Sequence, residues 1–162
     1  IGLLNISCSD KLDELYPHES AFIKDQVKWQ SKLYFPRIET FKQSPIGFGK
    51  IVFLGNSITE GGGNWNKRFR TDNIVNRGIS GDFTSGVLAR LKEITYFQPK
   101  ALFLLIGIND IFGINDAKIS SDYVFKQIIK IITVINTKSP RTKIYIQTLL
   151  PVDEKKYLKG RY

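Results

Sequence analysis

The chain has 162 residues, 42% of them hydrophobic and 24% charged, with 24 Lys and Arg against 15 Asp and Glu for a net charge of +9. That is the composition of one globular domain able to bury a sizeable core, which excludes a disordered chain, and no apolar run approaches the ~20 residues that cross a bilayer. A single cysteine, Cys8, and a single histidine, His18, exclude an intrachain disulfide, a cysteine metal cluster and a multi-histidine zinc site. The basic residues are scattered, adjacent only at Lys67-Arg68 and Lys155-Lys156. A basic solvated surface accounts for them better than a nucleic-acid partner.

In chain order, residues 1–18 read as an N-terminal tail. Its opening, Ile-Gly-Leu-Leu-Asn-Ile-Ser-Cys, resembles the end of a signal peptide and a lipoprotein processing site. Lipidation of Cys8 would anchor the chain to a membrane and place it outside the cytoplasm. The other reading is a frayed terminus with an incidental cysteine, compatible with a cytoplasmic protein. His18, beside Pro17 and Glu19, reads as a surface or capping residue.

Residues 19–35 show a helical pattern through Phe22, Ile23, Val27, Leu33 and Tyr34, which Pro36 is expected to break, with a second short turn at Ile38 and Phe41. Residues 44–49 are a loop into a buried strand, Ile51–Leu54. A short helix over Trp65–Phe69 and a strand over Asn73–Asn76 follow. A helix capped by Asp82 or Thr84 then buries Val87, Leu88, Leu91 and Ile94 and stops at Gln98-Pro99. Lys100–Ile106 is a strand apolar on both faces. A helix capped by Ser120 or Ser121 carries Tyr123, Val124, Ile128, Ile131, Ile132 and Ile135 to Ser139-Pro140, and Lys143–Leu149 is the last strand. This alternation predicts an α/β fold with a parallel sheet.

Three of the strands end in small polar clusters: Gly55-Asn56-Ser57, Asn76-Arg77-Gly78 and Gly107-Ile108-Asn109-Asp110. In a parallel sheet all three open on one edge. Turn chemistry explains one such cluster, but three in succession assemble what ester cleavage needs, a hydroxyl and donors for a developing oxyanion. Ser57 can supply the hydroxyl and its own N–H, Gly78 a second N–H, and Asn109 a side-chain amide. Neither Gly-x-x-x-x-Gly-Lys-Ser/Thr nor Gly-x-Gly-x-x-Gly follows the first strand, so a phosphate loop and a dinucleotide site are disfavoured. Gly-x-Ser-x-Gly is absent too, because Ile58-Thr59 follow Ser57.

The blocks Gly55-Asn56-Ser57-Ile58-Thr59-Glu60, Asn76-Arg77-Gly78-Ile79-Ser80-Gly81-Asp82 and Gly107-Ile108-Asn109-Asp110 resemble, in order and spacing, the first three blocks of the SGNH (GDSL) hydrolases. The likeness runs from about Lys50 to Pro151. It implies a flavodoxin-like three-layer α/β/α domain over residues 19–162 that hydrolyses esters without metal or cofactor. Ser57 would be the nucleophile, and Gly78 and Asn109 would complete the oxyanion hole. The subgroup it looks most like contains carbohydrate acetylesterases and platelet-activating-factor acetylhydrolases, which makes a glycan or small-molecule ester the expected partner.

Two positions depart from the family pattern. Asn56 stands where the first block usually has Asp, and it keeps one acceptor and the shape of the turn. The family's general base is a His in an Asp-x-x-His block, and no residue after Ser57 is His. Either the chain is a piece whose last strand, helix and Asp-x-x-His lie beyond Tyr162, or it is a degenerate, non-catalytic glycan- or lipid-binding module on the same fold. The absent strand and helix favour the former, and the 162 residues alone are then expected to turn over little or no ester.

Overall fold

The computed structural model describes residues 12–111 and 120–149. Cys8 and the residues from 150 onward lie outside them. Four parallel strands form one sheet: β1 (Ile51–Gly55), β2 (Ile74–Gly78), β3 (Ala101–Leu105) and β4 (Lys143–Ile146), in the spatial order β2-β1-β3-β4. The helices that lie wholly within the described residues are, in chain order, α1 (Lys28–Gln43), α2 (Ser57–Gly61), α3 (Trp65–Phe69), α4 (Thr84–Ala89), α5 (Leu91–Phe97), α6 (Ile108–Ile111) and α7 (Ser121–Lys138). The expected α/β class with a parallel sheet is the one observed. None of the described helices is long and apolar enough to cross a membrane.

Strand periodicity sorts the side chains between the two faces of the sheet. Val52 and Leu54 of β1 and Leu102 and Leu104 of β3 are fully buried, and they share a core with Tyr34, Ile38 and Phe41 of α1, Val87 of α4, Leu91 and Ile94 of α5, and Ile131 and Ile135 of α7. Burying each of these aliphatic side chains contributes roughly 1.5–3 kcal/mol. The other face carries a row of rings. Phe53 meets Phe103 at 5.0 Å between centroids, Phe103 stacks on Tyr145 at 4.7 Å, and Trp65 of α3 lies 4.9 Å from Phe53.

The first helix differs from the expected one. It begins at Lys28 rather than Glu19 and runs through Pro36 to Gln43. Residues 19–27 turn instead, and Asp25 adopts a left-handed φ of 65° that no helix interior accepts. Of the expected stripe only Ile23 and Tyr34 are buried, while Phe22 is exposed. Pro36 does not end the helix because the buried positions Gln30, Tyr34, Ile38 and Phe41 fall on one side of it both before and after the proline. Packing of that stripe outweighs the one backbone bond the proline cannot make.

The second strand runs Ile74–Gly78 rather than Asn73–Asn76 and ends two residues nearer the site, because Arg77 and Gly78 stay in register with Leu54 and Gly55. The helix expected after it divides at Arg90, whose φ of −110° and ψ of 17° separate α4 from α5. Of its expected stripe, Val87, Leu91 and Ile94 are nevertheless buried, while Leu88 is only partly so. The last strand stops at Ile146, three residues early.

Candidate active site

The carboxyl ends of β1, β2 and β3 lie side by side, with Gly55 opposite Gly78 on one flank and Leu105 on the other. The chain leaves β1 toward β2 in one direction and β3 in the other, which makes this edge the reversal point of the sheet, where open α/β folds leave a crevice. Gly78 is the last residue of β2, and Ser57 and Asn109 follow the ends of β1 and β3.

Ser57 is the exposed first residue of α2. Asn56 is its N-cap, with Oδ1 accepting the Ile58 N–H at 3.0 Å, so the turn keeps its shape with Asn in place of Asp. The other half of that amide is less well served. Asn56 is fully buried, and its Nδ2 has no hydrogen-bond partner among the described residues. An orphaned donor of this kind costs roughly 1–3 kcal/mol.

Gly78 closes β2. A Cβ here would run into the backbone of Glu60, so glycine is demanded by the close approach of α2 to the strand. Its N–H donates to Asn76 Oδ1 at 2.9 Å, and its carbonyl accepts from Arg37 Nε at 3.2 Å. An oxyanion using this N–H would have to share it with Asn76 or replace it.

Asn109 is the second residue of α6. Gly107 leads into it with φ of 113°, a conformation side chains rarely adopt. Asn109 Nδ2 donates to the Asp82 carbonyl at 2.9 Å. One of its two amide protons thereby holds the side chain, and the second has no partner among the described residues.

Segment 76–84 is the hub that joins the three clusters. Toward the first, Asn76 Nδ2 donates to the carbonyls of Thr59, Glu60 and Gly63 at 3.0–3.2 Å, and the Glu60 carboxylate accepts both the N–H and the hydroxyl of Ser80. Toward the third, Asn109 holds the Asp82 carbonyl, and the buried Asp110 carboxylate accepts the Thr84 N–H at 3.1 Å and the Thr84 hydroxyl. The cap expected from Asp82 or Thr84 thus comes from Asp110, a residue of the neighbouring cluster. Burial raises the Asp110 carboxyl, and the Thr84 bonds oppose the shift.

Beneath the hub two arginines are buried. Arg90 Nη2 lies 2.8 Å from Asp82 Oδ2 and 3.1 Å from the Gly55 carbonyl, while Nη1 reaches the Arg77 carbonyl at 2.8 Å. One guanidinium therefore satisfies the ends of both β1 and β2. Arg77 pairs with Glu93 through two bonds of 2.8 and 3.0 Å, and Glu93 also accepts the Tyr16 hydroxyl. Burial, reinforced by Glu93, pushes the Tyr16 phenol well above its usual range.

Sequence reasoning singled out Ser57, Gly78 and Asn109 but assigned no role to Glu60, Asn76, Arg90 or Asp110. The partners of their side chains lie well away in sequence: Ser80 for Glu60, Thr59 for Asn76, Asp82 for Arg90 and Thr84 for Asp110. His18 is exposed and hydrogen-bonded to the Ser20 hydroxyl at 2.7 Å, in the surface role expected of it.

The model of the GDSL-like lipase/acylhydrolase family matches residues 53–162. The platelet-activating factor acetylhydrolase IB subunit alpha2 of Homo sapiens is 28% identical over 155 residues, covering 93% of this chain and 63% of its own length. The chain therefore spans less than two thirds of that relative. Among solved structures, a candidate platelet activating factor from Streptococcus pneumonia matches with a TM-score of 0.64 at 29% identity, covering 82% of this chain and 61% of that one. A GDSL-like lipase from Bacteroides thetaiotaomicron shares the fold, with a TM-score of 0.61 at 24% identity over 74% of this chain and 59% of its own.

Proposed function

Because the chain belongs to the GDSL-like lipase/acylhydrolase (SGNH) family, we propose that it is a serine ester hydrolase acting on an acetyl ester of a carbohydrate or another small alcohol. The observation that supports this most directly is the convergence of Ser57, Gly78 and Asn109 at the ends of three adjacent parallel strands. In this reading the Ser57 hydroxyl attacks the ester carbonyl. The oxyanion of the tetrahedral intermediate is met by the N–H groups of Ser57 and Gly78 and by the Asn109 amide. Asn109 is anchored on Asp82 beforehand, so little reorganisation is needed when charge develops. The acetyl preference draws on the likeness to an acetylhydrolase.

A serine hydroxyl needs a base, and His18 is the one imidazole in the 162 residues. No residue after Ser57 is His, which supports a second reading, a glycan- or lipid-binding module that keeps the crevice without the proton transfer. Hydrolysis of p-nitrophenyl acetate by the full-length protein and by Ser57→Ala separates the two. The hydrolase reading expects Ser57→Ala to lose nearly all turnover. Equal rates would remove Ser57 from the mechanism, and no hydrolysis by either protein would favour the binding module. Under the hydrolase reading, the 162 residues alone are expected to turn over little or no ester, because none of those after Ser57 is His.

A further inference from the structure

We infer that Glu60 is a positioning residue that fixes the Ser57 turn against the loop of Gly78–Gly81, an inference that rests on the hydrolase reading above. Glu60 lies one helical turn beyond Ser57 on α2, so whatever restrains its side chain restrains the helix that presents the serine. Its Oε2 accepts the Ser80 backbone N–H and the Ser80 hydroxyl, each at 2.6 Å. Both are short, charge-assisted bonds, a type roughly twice as strong as neutral ones. Ser80 is two residues past Gly78, and the bonds therefore tie the helix to the loop that carries the second oxyanion donor.

The other oxygen of the carboxylate, Oε1, faces Arg37 Nε at 3.4 Å, and the same Nε donates to the Gly78 carbonyl at 3.2 Å. About a quarter of the Arg37 side chain and a third of the Glu60 side chain remain exposed, so this ion pair is screened and secondary to the Ser80 bonds. The Glu60 main chain is equally constrained. Its N–H closes onto the Asn56 carbonyl at 3.0 Å, its carbonyl accepts Asn76 Nδ2 at 3.2 Å, and the missing Cβ of Gly78 leaves room for its backbone. The carboxylate, gripping both donors of Ser80, adds a side-chain hold on the loop to these backbone contacts. A nucleophile and its oxyanion donors misplaced by about 1 Å lose on the order of 100-fold in rate, which is the scale on which such a clamp matters.

The test compares Glu60→Ala, Glu60→Gln and Ser80→Ala with the wild type in the full-length protein, following p-nitrophenyl acetate kinetics and amide hydrogen exchange at Ser80. Glu60→Ala is expected to lower kcat about 10- to 100-fold with KM changed less than about twofold. It should also speed Ser80 amide exchange about tenfold or more. Glu60→Gln, which keeps an acceptor oxygen, should recover part of both losses. The Glu60→Ala, Ser80→Ala double variant should be no slower than Glu60→Ala. An unchanged kcat in Glu60→Ala, with Ser57→Ala inactive, overturns the inference and leaves the hydrolase reading intact. A kcat loss that merely follows a fall in Tm, with no recovery in Glu60→Gln, also overturns it. If Ser57→Ala hydrolyses as fast as wild type, the hydrolase reading fails and the positioning role falls with it.

Discussion

Arg90 sits where the ends of β1 and β2 meet, and its guanidinium bonds the carbonyls of Gly55 and Arg77 as well as the Asp82 carboxylate. Both members of the ion pair are almost wholly buried. Replacing Arg90 with Leu leaves Asp82 as an unpaired buried acid, and the expected loss is about 3–5 kcal/mol, read from urea unfolding at pH 7. Burial pushes the Asp82 carboxyl up to about 6 from the ordinary 3.8, against the pull of Arg90 and the Phe83 N–H. Between those two values the native state keeps a proton that the unfolded chain has released. The contribution of Asp82 to stability therefore falls as pH rises from about 4 to 6 and is level above that. In Asp82→Asn this component disappears, so the stability of the wild type relative to the variant is expected to decline across that window. A gap that widens from pH 4 to 6 would contradict the assignment.

At the scale of elements, α1 shows most clearly how packing overrides a local signal. Pro36 reads as a stop, and in the structure it is an exposed interior residue of a 16-residue helix. A proline inside a helix costs about 3 kcal/mol relative to alanine, part of which its stiffening of the unfolded chain returns. Pro36→Ala is therefore expected to stabilise the protein by about 1–2 kcal/mol, seen as a Tm rise of a few degrees. A lower Tm would show that the proline helps shape α1. The break at Arg90 has the opposite origin. No proline or glycine marks it, and the turn occurs where a buried guanidinium is directed at three acceptors that belong to β1, β2 and the loop after β2. Local propensity recorded neither event, because both depend on residues far away in sequence.

At the scale of the molecule, the sheet order β2-β1-β3-β4 brings Ser57 and Asn109 from adjacent strands to a single edge. If they act on one intermediate, their losses do not add. Asn109→Ala is expected to lower kcat for p-nitrophenyl acetate about 100- to 1000-fold, yet to cost little more in a Ser57→Ala background. Full additivity would place Asn109 outside the mechanism. The class of fold, the parallel sheet and the three strand-end clusters were legible in the sequence, because runs such as Ile51–Leu54 and Ala101–Ile106 are apolar at every position, and glycine and asparagine mark where each strand must stop. The path of α1 through Pro36, the division at Arg90 and the partners of Glu60 and Asp110 were not legible. By itself, then, the sequence determined which residues form strands and which polar groups those strands deliver to the edge, since periodicity and turn chemistry act between near neighbours. Only the tertiary structure decided how those groups are held: Asn109 on Asp82, Ser80 on Glu60, Thr84 on Asp110. Each of these bonds spans 20 or more residues and exists only once the strands are side by side.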